Sequence, residues 1–200
     1  LRSVWQLQKS VSYCLFGSKK HLMNELFEKK SLPFYKFGDT VYLPKIGTED
    51  WVDYICGRFE ATGKHISAEL AGKICRAVDN HSSYVQQLAW LVWIHTDETA
   101  TEQDFEGAYQ DIIDQNTPLF EKQTESLTAY QMNFLRAVLE GVHREFTTRA
   151  VLQKYKLGSS ANVSIVKRAL LKKELIEMEK RQVVIPDPVM EEWLRRELGL

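Results

Sequence analysis

Two groups of residues have types and spacings that could do chemistry. The first lies near the carboxyl terminus: Asn162 and Ser164, then Lys167, Arg168, Lys172 and Lys173, followed by Lys180-Arg181. Cations repeated along a helix neutralise phosphates, and amide or hydroxyl side chains near its start can reach base edges. Glu174, Glu177 and Glu179 interrupt the basic run, however. An ordinary amphipathic helix with Ile165, Val166, Ala169 and Leu170 inward would also show outer cations. DNA contact and protein contact both stay open. The second group consists of polar residues at element ends: Ser18 after the apolar run VSYCLFG, and His81-Ser82-Ser83 before a helical stretch. A hydroxyl at the carboxyl edge of a buried strand, or amides at a helix N-terminus, can face an anion. The plainer alternative is that Gly17-Ser18 turns the chain and Ser18 caps the next helix.

Other chemistry lacks its residues. There is no G-x-x-x-x-G-K-[ST] loop to cradle phosphates and no acidic pair at the end of an apolar strand to hold magnesium. No Ser/His/Asp order or carboxylate pair offers an independent catalytic reading, so no catalytic residue is assigned. Cys14, Cys56 and Cys75 form no C-x-x-C pair, and the five histidines have no ligand spacing. The expectation is no metal site and buried free thiols in a reducing compartment, hence a cytoplasmic protein. No apolar run reaches the roughly 18 residues of a membrane span.

The elements that must position these groups follow from periodicity. Val11–Phe16 is a continuous apolar run, as in a strand covered on both faces. It ends at Gly17-Ser18, and Leu22, Met23, Leu26 and Phe27 then recur at helical spacing. Leu32-Pro33 breaks that helix, and Thr40–Leu43 is a second short β-prone run closed by Pro44. Nothing nearby supplies a sheet for these strands. LRSVWQLQKS lacks an initiating methionine and a signal peptide's apolar centre, so the chain reads as a piece of something longer.

From Thr48 the pattern becomes helical. Glu49 and Asp50 favour a helix start, with Trp51, Tyr54, Ile55, Arg58 and Phe59 on one face. Ser67 caps a second helix. YVQQLAWLVWIHT is apolar nearly all round and so central, with Trp90 and Trp93 expected to serve packing. Thr101 and Asp104 resemble a capping box for a fourth helix, and Pro118 marks the next boundary. Beyond it come a helix through Phe134–Leu139, a short one through Val151 and Leu152, and a third capped by Ser159-Ser160. Two β-like runs joined by Lys180-Arg181 and a closing helix, VMEEWLRREL, complete the winged helix-turn-helix order. Charge divides the same way. Residues 1–50 carry 8 basic against 5 acidic residues (+3), 51–118 carry 4 against 11 (−7), and 119–200 carry 14 against 11 (+3). The fold class expected is mainly α with small β. Residues 1–47 are the remnant of an α/β nucleotide domain, 48–118 a helical lid and 119–200 a winged helix domain.

This order of parts, carried by LFGSKKHLMNELF, SLPFYKFGDTVYLPKI, HSSYVQQLAWLVW and VVIPDPVMEEWL, resembles the carboxyl-terminal half of prokaryotic, archaeal-type P-loop ATPases of the AAA+ superfamily. The resemblance implies that Ser18 holds the sensor-one position near the terminal phosphate. It makes Lys36 a candidate to reach a neighbouring nucleotide, although arginine's planar fork would suit phosphoryl oxygens better. It puts His81-Ser82-Ser83-Tyr84 at the opening of the lid's third helix, as a further nucleotide-sensing candidate at His81. No arginine follows in that helix, so a second sensor is not evident. ATP and Mg would belong to the parent protein, with no cofactor held by this chain. The implied partners are the missing amino-terminal ATPase core and a protein or DNA at the winged helix, with oligomerisation left open and no membrane. The contrasting reading is a standalone winged-helix DNA-binding transcriptional regulator.

Overall fold

The computed structural model describes residues 2–17, 23 and 26–200 and divides into two compact units, 1–44 and 45–200. In the first unit, a short helix α1 (Arg2–Trp5) feeds an aromatic cluster. Trp5 stacks on Tyr13 at 4.5 Å, and Phe34, Phe37 and Phe27 gather round it through tilted and edge contacts. The strands expected at Val11–Phe16 and Thr40–Leu43 are not formed. A strand needs a neighbour for its N–H and C=O groups, and the described residues of this unit supply none. Phe16 is 92% exposed, Leu43 83% and Val41 78%, around an open cavity of about 640 Å³. The helix expected after Gly17 falls largely on residues outside those described.

The second unit opens with four helices: α2 (Thr48–Glu60), α3 (Ala68–Ala77), α4 (Ser82–His95) and α5 (Glu102–Thr124). Each start follows from local chemistry. Glu49 and Asp50 sit in the first turn of α2, and Ser67 accepts from the Leu70 N–H at 3.1 Å to cap α3. Thr101 and Asp104 form the capping box of α5. Trp51, Ile55 and Phe59, spaced four apart, bury one face of α2, and α4 lies between α3 and α5 with Val85, Leu88 and Val92 fully buried.

The helix end expected at Pro118 is not there: α5 runs through it to Thr124. Proline removes one backbone donor and crowds the preceding turn, a cost of about 3 kcal/mol in a helix interior. Burial offsets it. Phe120, two residues on, is completely buried, with its ring 5.7 Å from that of Trp193. The boundary between the second and third segments therefore falls inside a helix. Pro118 is exposed, so Pro118→Ala is expected to raise stability by about 1–2 kcal/mol, read as a higher midpoint in urea.

Beyond α5 come α6 (Ala129–Leu139), α7 (Arg149–Lys154), α8 (Ser160–Lys172), the antiparallel pair β1 (Glu177–Glu179) and β2 (Gln182–Val184), and α9 (Pro188–Glu197). Lys180 and Arg181 form the two-residue turn, both at positive φ (46° and 67°), as a hairpin turn matched to strand twist requires. His143 adds a third edge. Its carbonyl accepts from the Val183 N–H, and its Nδ1–H donates to the Val183 carbonyl, both at 2.9 Å. This is the winged helix-turn-helix arrangement, and the fold is mainly α with a small β element. Helix α9 folds back against α5.

Candidate functional site

The outward surface of the winged helix is built by α8 and the hairpin. Helix α8 buries Val163, Val166 and Leu170, which share one face at three- and four-residue spacing. The opposite face carries Ala161, Ser164, Ile165, Arg168 and Lys172, all exposed. Ile165 is thus 64% exposed among the cations, a correction to its expected inward position. Lys167, by contrast, is half-buried beside the core face. Asn162 is committed to the turn before the helix: its backbone N–H is capped by Ser159 and its Nδ2 donates to the Leu157 carbonyl at 2.7 Å. Ser164 donates back to the Ser160 carbonyl at 3.3 Å, and Lys173 is tied to Ser126 at 2.8 Å. Lys180 and Arg181 are exposed at the wing tip. Arg144 joins them by donating to the Lys180 carbonyl at 3.3 Å, a cation that sequence reasoning missed because the pairing spans 36 residues. Glu177 and Glu179 stand exposed on the same hairpin and dilute its positive field.

A second polar site forms where α4 begins. Asp79 and Asn80 adopt the left-handed conformation, with φ of 47° and 52°, and turn the chain into the helix. Such residues tolerate this region because their short polar side chains bond locally. Here Lys45 pairs with Asp79 at 2.5 Å, and Asn80 exchanges hydrogen bonds with Thr48 at 3.1 and 3.2 Å. His81 is the N-cap but makes no side-chain cap bond, so the first-turn amides of α4 keep their donors free of a side-chain cap. Its Nδ1 is buried with no partner among the described residues. The first-turn amides, free of a side-chain cap, are donors suited to oxygen acceptors such as phosphate, whereas the buried Nδ1 does not reach solvent. No group of three His, Cys, Asp or Glu that could hold a metal ion occurs among the described residues.

One turn into α4, the Tyr84 hydroxyl donates to Asp187 Oδ2 at 2.8 Å across 103 residues. Asp187 is also the N-cap of α9, accepting from Val189 and Met190 through Oδ1. Burial, and then the hydrogen bond and charge of Asp187, push the Tyr84 hydroxyl well above its ordinary value. This link was invisible in the sequence, where Asp187 reads only as a turn residue between two prolines.

The remaining expected sensing residues lie in the amino-terminal unit. Ser18 is outside the described residues. Lys36 is exposed at φ 50°, with its ammonium 5.7 Å from the Tyr35 ring. Trp93 packs as expected, donating to Thr62 at 2.9 Å, whereas Trp90 is 56% exposed. All three cysteines are free. Burial raises the thiol pKa of Cys56 and Cys75, but Cys14 is exposed rather than buried. No helix among the described residues is long and apolar enough to cross a membrane.

Comparison with known proteins agrees with this architecture. Residues 118–196 match a family described as a probable winged helix domain. No curated protein matches the chain. Among solved structures, a Walker-type ATPase of Pyrococcus abyssi is similar over 90% of this chain at 16% identity, with a TM-score of 0.64. This chain spans 51% of that ATPase's length, and at such low identity the likeness is one of fold.

Proposed function

We propose that this chain is the lid and winged-helix part of an ATP-binding P-loop ATPase of the AAA+ type, acting as its regulatory and interaction module. The observation that carries this reading is the hydrogen bond from Tyr84 to Asp187. It joins the first turn of α4, which offers amides free of a side-chain cap, to the cap of the winged helix's last helix. A phosphate bound or released at that turn would bias the lid, and the winged helix would move with it as one body. The continuous helix α5 and the packing of α9 against it support the same coupling. The fold likeness to a Walker-type ATPase is a further support. The phosphate-binding loop and the magnesium carboxylate would come from the nucleotide core. The exposed apolar residues Phe16, Val41 and Leu43 suit packing against further strands of such a core.

The decisive observation is whether a G-x-x-x-x-G-K-[ST] loop is encoded in the same reading frame ahead of residue 1, or on a chain that copurifies. Absence of both overturns the reading. The contrasting function, a DNA-binding regulator, draws on the outward stripe of Ser164, Arg168 and Lys172 with Arg144, Lys180 and Arg181 at the wing. Fluorescence anisotropy with a random DNA duplex separates the two. The ATPase-module reading expects no salt-dependent binding at 50 mM salt. Binding that weakens steeply by 200 mM and is lost in Arg168→Glu would favour the regulator instead.

A further inference from the structure

A groove of about 380 Å³ runs between α2 and α4, starting one turn beyond the polar site at the start of α4. Trp51, Tyr54 and Arg58 supply one wall, and Gln86, Trp90 and Trp93 the other. Tryptophan, tyrosine and arginine are the residue types over-represented where protein partners dock, while Lys, Glu and Asp are depleted there. The groove follows that composition, with a single charged side chain, Arg58, on its two walls. No carboxylate among the described residues pairs with Arg58. Of the four acidic residues of α2, Glu49, Asp53 and Glu60 fall on the helix face opposite Trp51 and Arg58 at 100° per residue, and Asp50 lies in the first turn, about two turns from Arg58.

The walls are held ready. The Trp93 indole N–H donates to Thr62 at 2.9 Å, and the Lys64 ammonium lies 4.3 Å from its ring centre. Trp51 is 5% exposed, packs edge-on to Tyr54 at 5.8 Å, and its indole N–H has no partner among the described residues. Tyr54 and Trp90, in contrast, are 51% and 56% exposed at the rims. So open a groove cannot enclose most of a small ligand's surface, as a cofactor pocket does. Nucleic acid would need several cations along the groove to neutralise its phosphates, and the groove walls carry one, Arg58. From Trp51 to Thr62 the wall is roughly 16 Å long, enough for about three turns of a third helix.

We propose that this groove docks an amphipathic helix of a partner protein, with aromatic or leucine anchors at i, i+3 or i+4 and i+7 against the tryptophans and one carboxylate meeting Arg58. Arg58, a wall cation with no carboxylate partner among the described residues, and Lys64 over the Trp93 ring favour an acidic-apolar segment over a basic one. The proposal does not depend on the ATPase reading.

The test is selection of a phage-displayed library of random 16-residue peptides against the 200-residue chain. The expected result is an enriched class with apolar anchors at helical spacing and one Asp or Glu. Its binding should fall about tenfold or more in Trp90→Ala and in Arg58→Glu, and a lysine in place of the peptide's acid should restore binding to Arg58→Glu. Both side chains are exposed, and unchanged thermal melts verify folding. Tyr54→Ala, also at an exposed rim, repeats the measurement if either melt moves. The proposal is overturned by failure to enrich any class, by a proline-rich class, or by peptides indifferent to these substitutions. Self-association of the chain abolished by Trp90→Ala would overturn it too, assigning the groove to a second copy.

Discussion

Phe120→Ala is expected to destabilise the 45–200 unit by about 3–5 kcal/mol, the cost of emptying a fully enclosed aromatic site. Phe120 is completely buried, and its ring sits 5.7 Å from that of Trp193 where α5 meets α9. Deleting it removes burial and leaves a void that a helix already carrying Pro118 cannot easily close. A domain of this size has a total stability of about 5–15 kcal/mol, so the loss takes a large share of it. At about 2–4 °C per kcal/mol, the melting midpoint should fall by roughly 10 °C. Leu119→Ala is the control. Its side chain is 51% exposed one residue away, and surface changes of this kind stay within about 0.5 kcal/mol. The expected pattern in Phe120→Ala is also a separation of transitions, with α9 and the wing loosening before the α2–α5 helices. Urea unfolding followed by hydrogen exchange reads both. A single transition with less than about 1 kcal/mol lost would mean that the contact between α5 and α9 does not hold the winged helix to the α2–α5 helices.

Phe120 also illustrates what was legible in the sequence and what was not. Local signals carried through. Thr101 with Asp104 reads as a capping box and is one, and Ser67 and Ser159 cap as their positions suggest. Lys180-Arg181 between two β-prone runs reads as a tight turn and closes the hairpin. These features depend on residues within four positions of one another. Most of the misreadings involve partners far along the chain, and Ile165 is the local exception. Pro118 looked like a stop because its local cost is visible and the burial of Phe120 against a helix some 70 residues away is not. Val11–Phe16 looked like a strand because of its apolarity, but a strand also needs a paired neighbour, and the described residues of that unit supply none. Ile165 looked inward because it adjoins Val166. In fact Val163 and Leu170 complete the buried face, so Ile165 faces solvent with Arg168. Arg144 beside the wing and Tyr84 on Asp187 could not be read locally at all.

The Tyr84–Asp187 link should show itself as an energetic coupling and as a pH dependence. A hydrogen bond to a charged acceptor contributes about 1.5–3 kcal/mol, and Tyr84→Phe removes it while leaving Asp187 Oδ2 without its donor. Asp187→Ala loses the same bond and the cap on Val189 and Met190, about 0.5–2 kcal/mol more. The single losses should therefore exceed the double-mutant loss when added, by about 1–2 kcal/mol in a thermodynamic cycle. Additive losses would mean that the two residues are neighbours without being coupled. The pH dependence has a definite sign. Burial, then Asp187, raises the Tyr84 hydroxyl above the value of about 10 that it has in an unfolded chain. The folded form holds the proton more tightly, so this contribution is fully present below pH ~10 and is lost as pH climbs through the folded value. Tyr109 shares this behaviour, raised by burial and then by the charge of Glu192. Stability should hence decline above pH ~10, less steeply in Tyr84→Phe, and least in the variant lacking both hydroxyls. If the alkaline slope of Tyr84→Phe matches that of the unaltered chain, the buried hydroxyl is not what the winged helix hangs on. The joint between the first turn of α4 and the cap of α9 would then be packing alone, and the α2–α5 helices could move without carrying the wing.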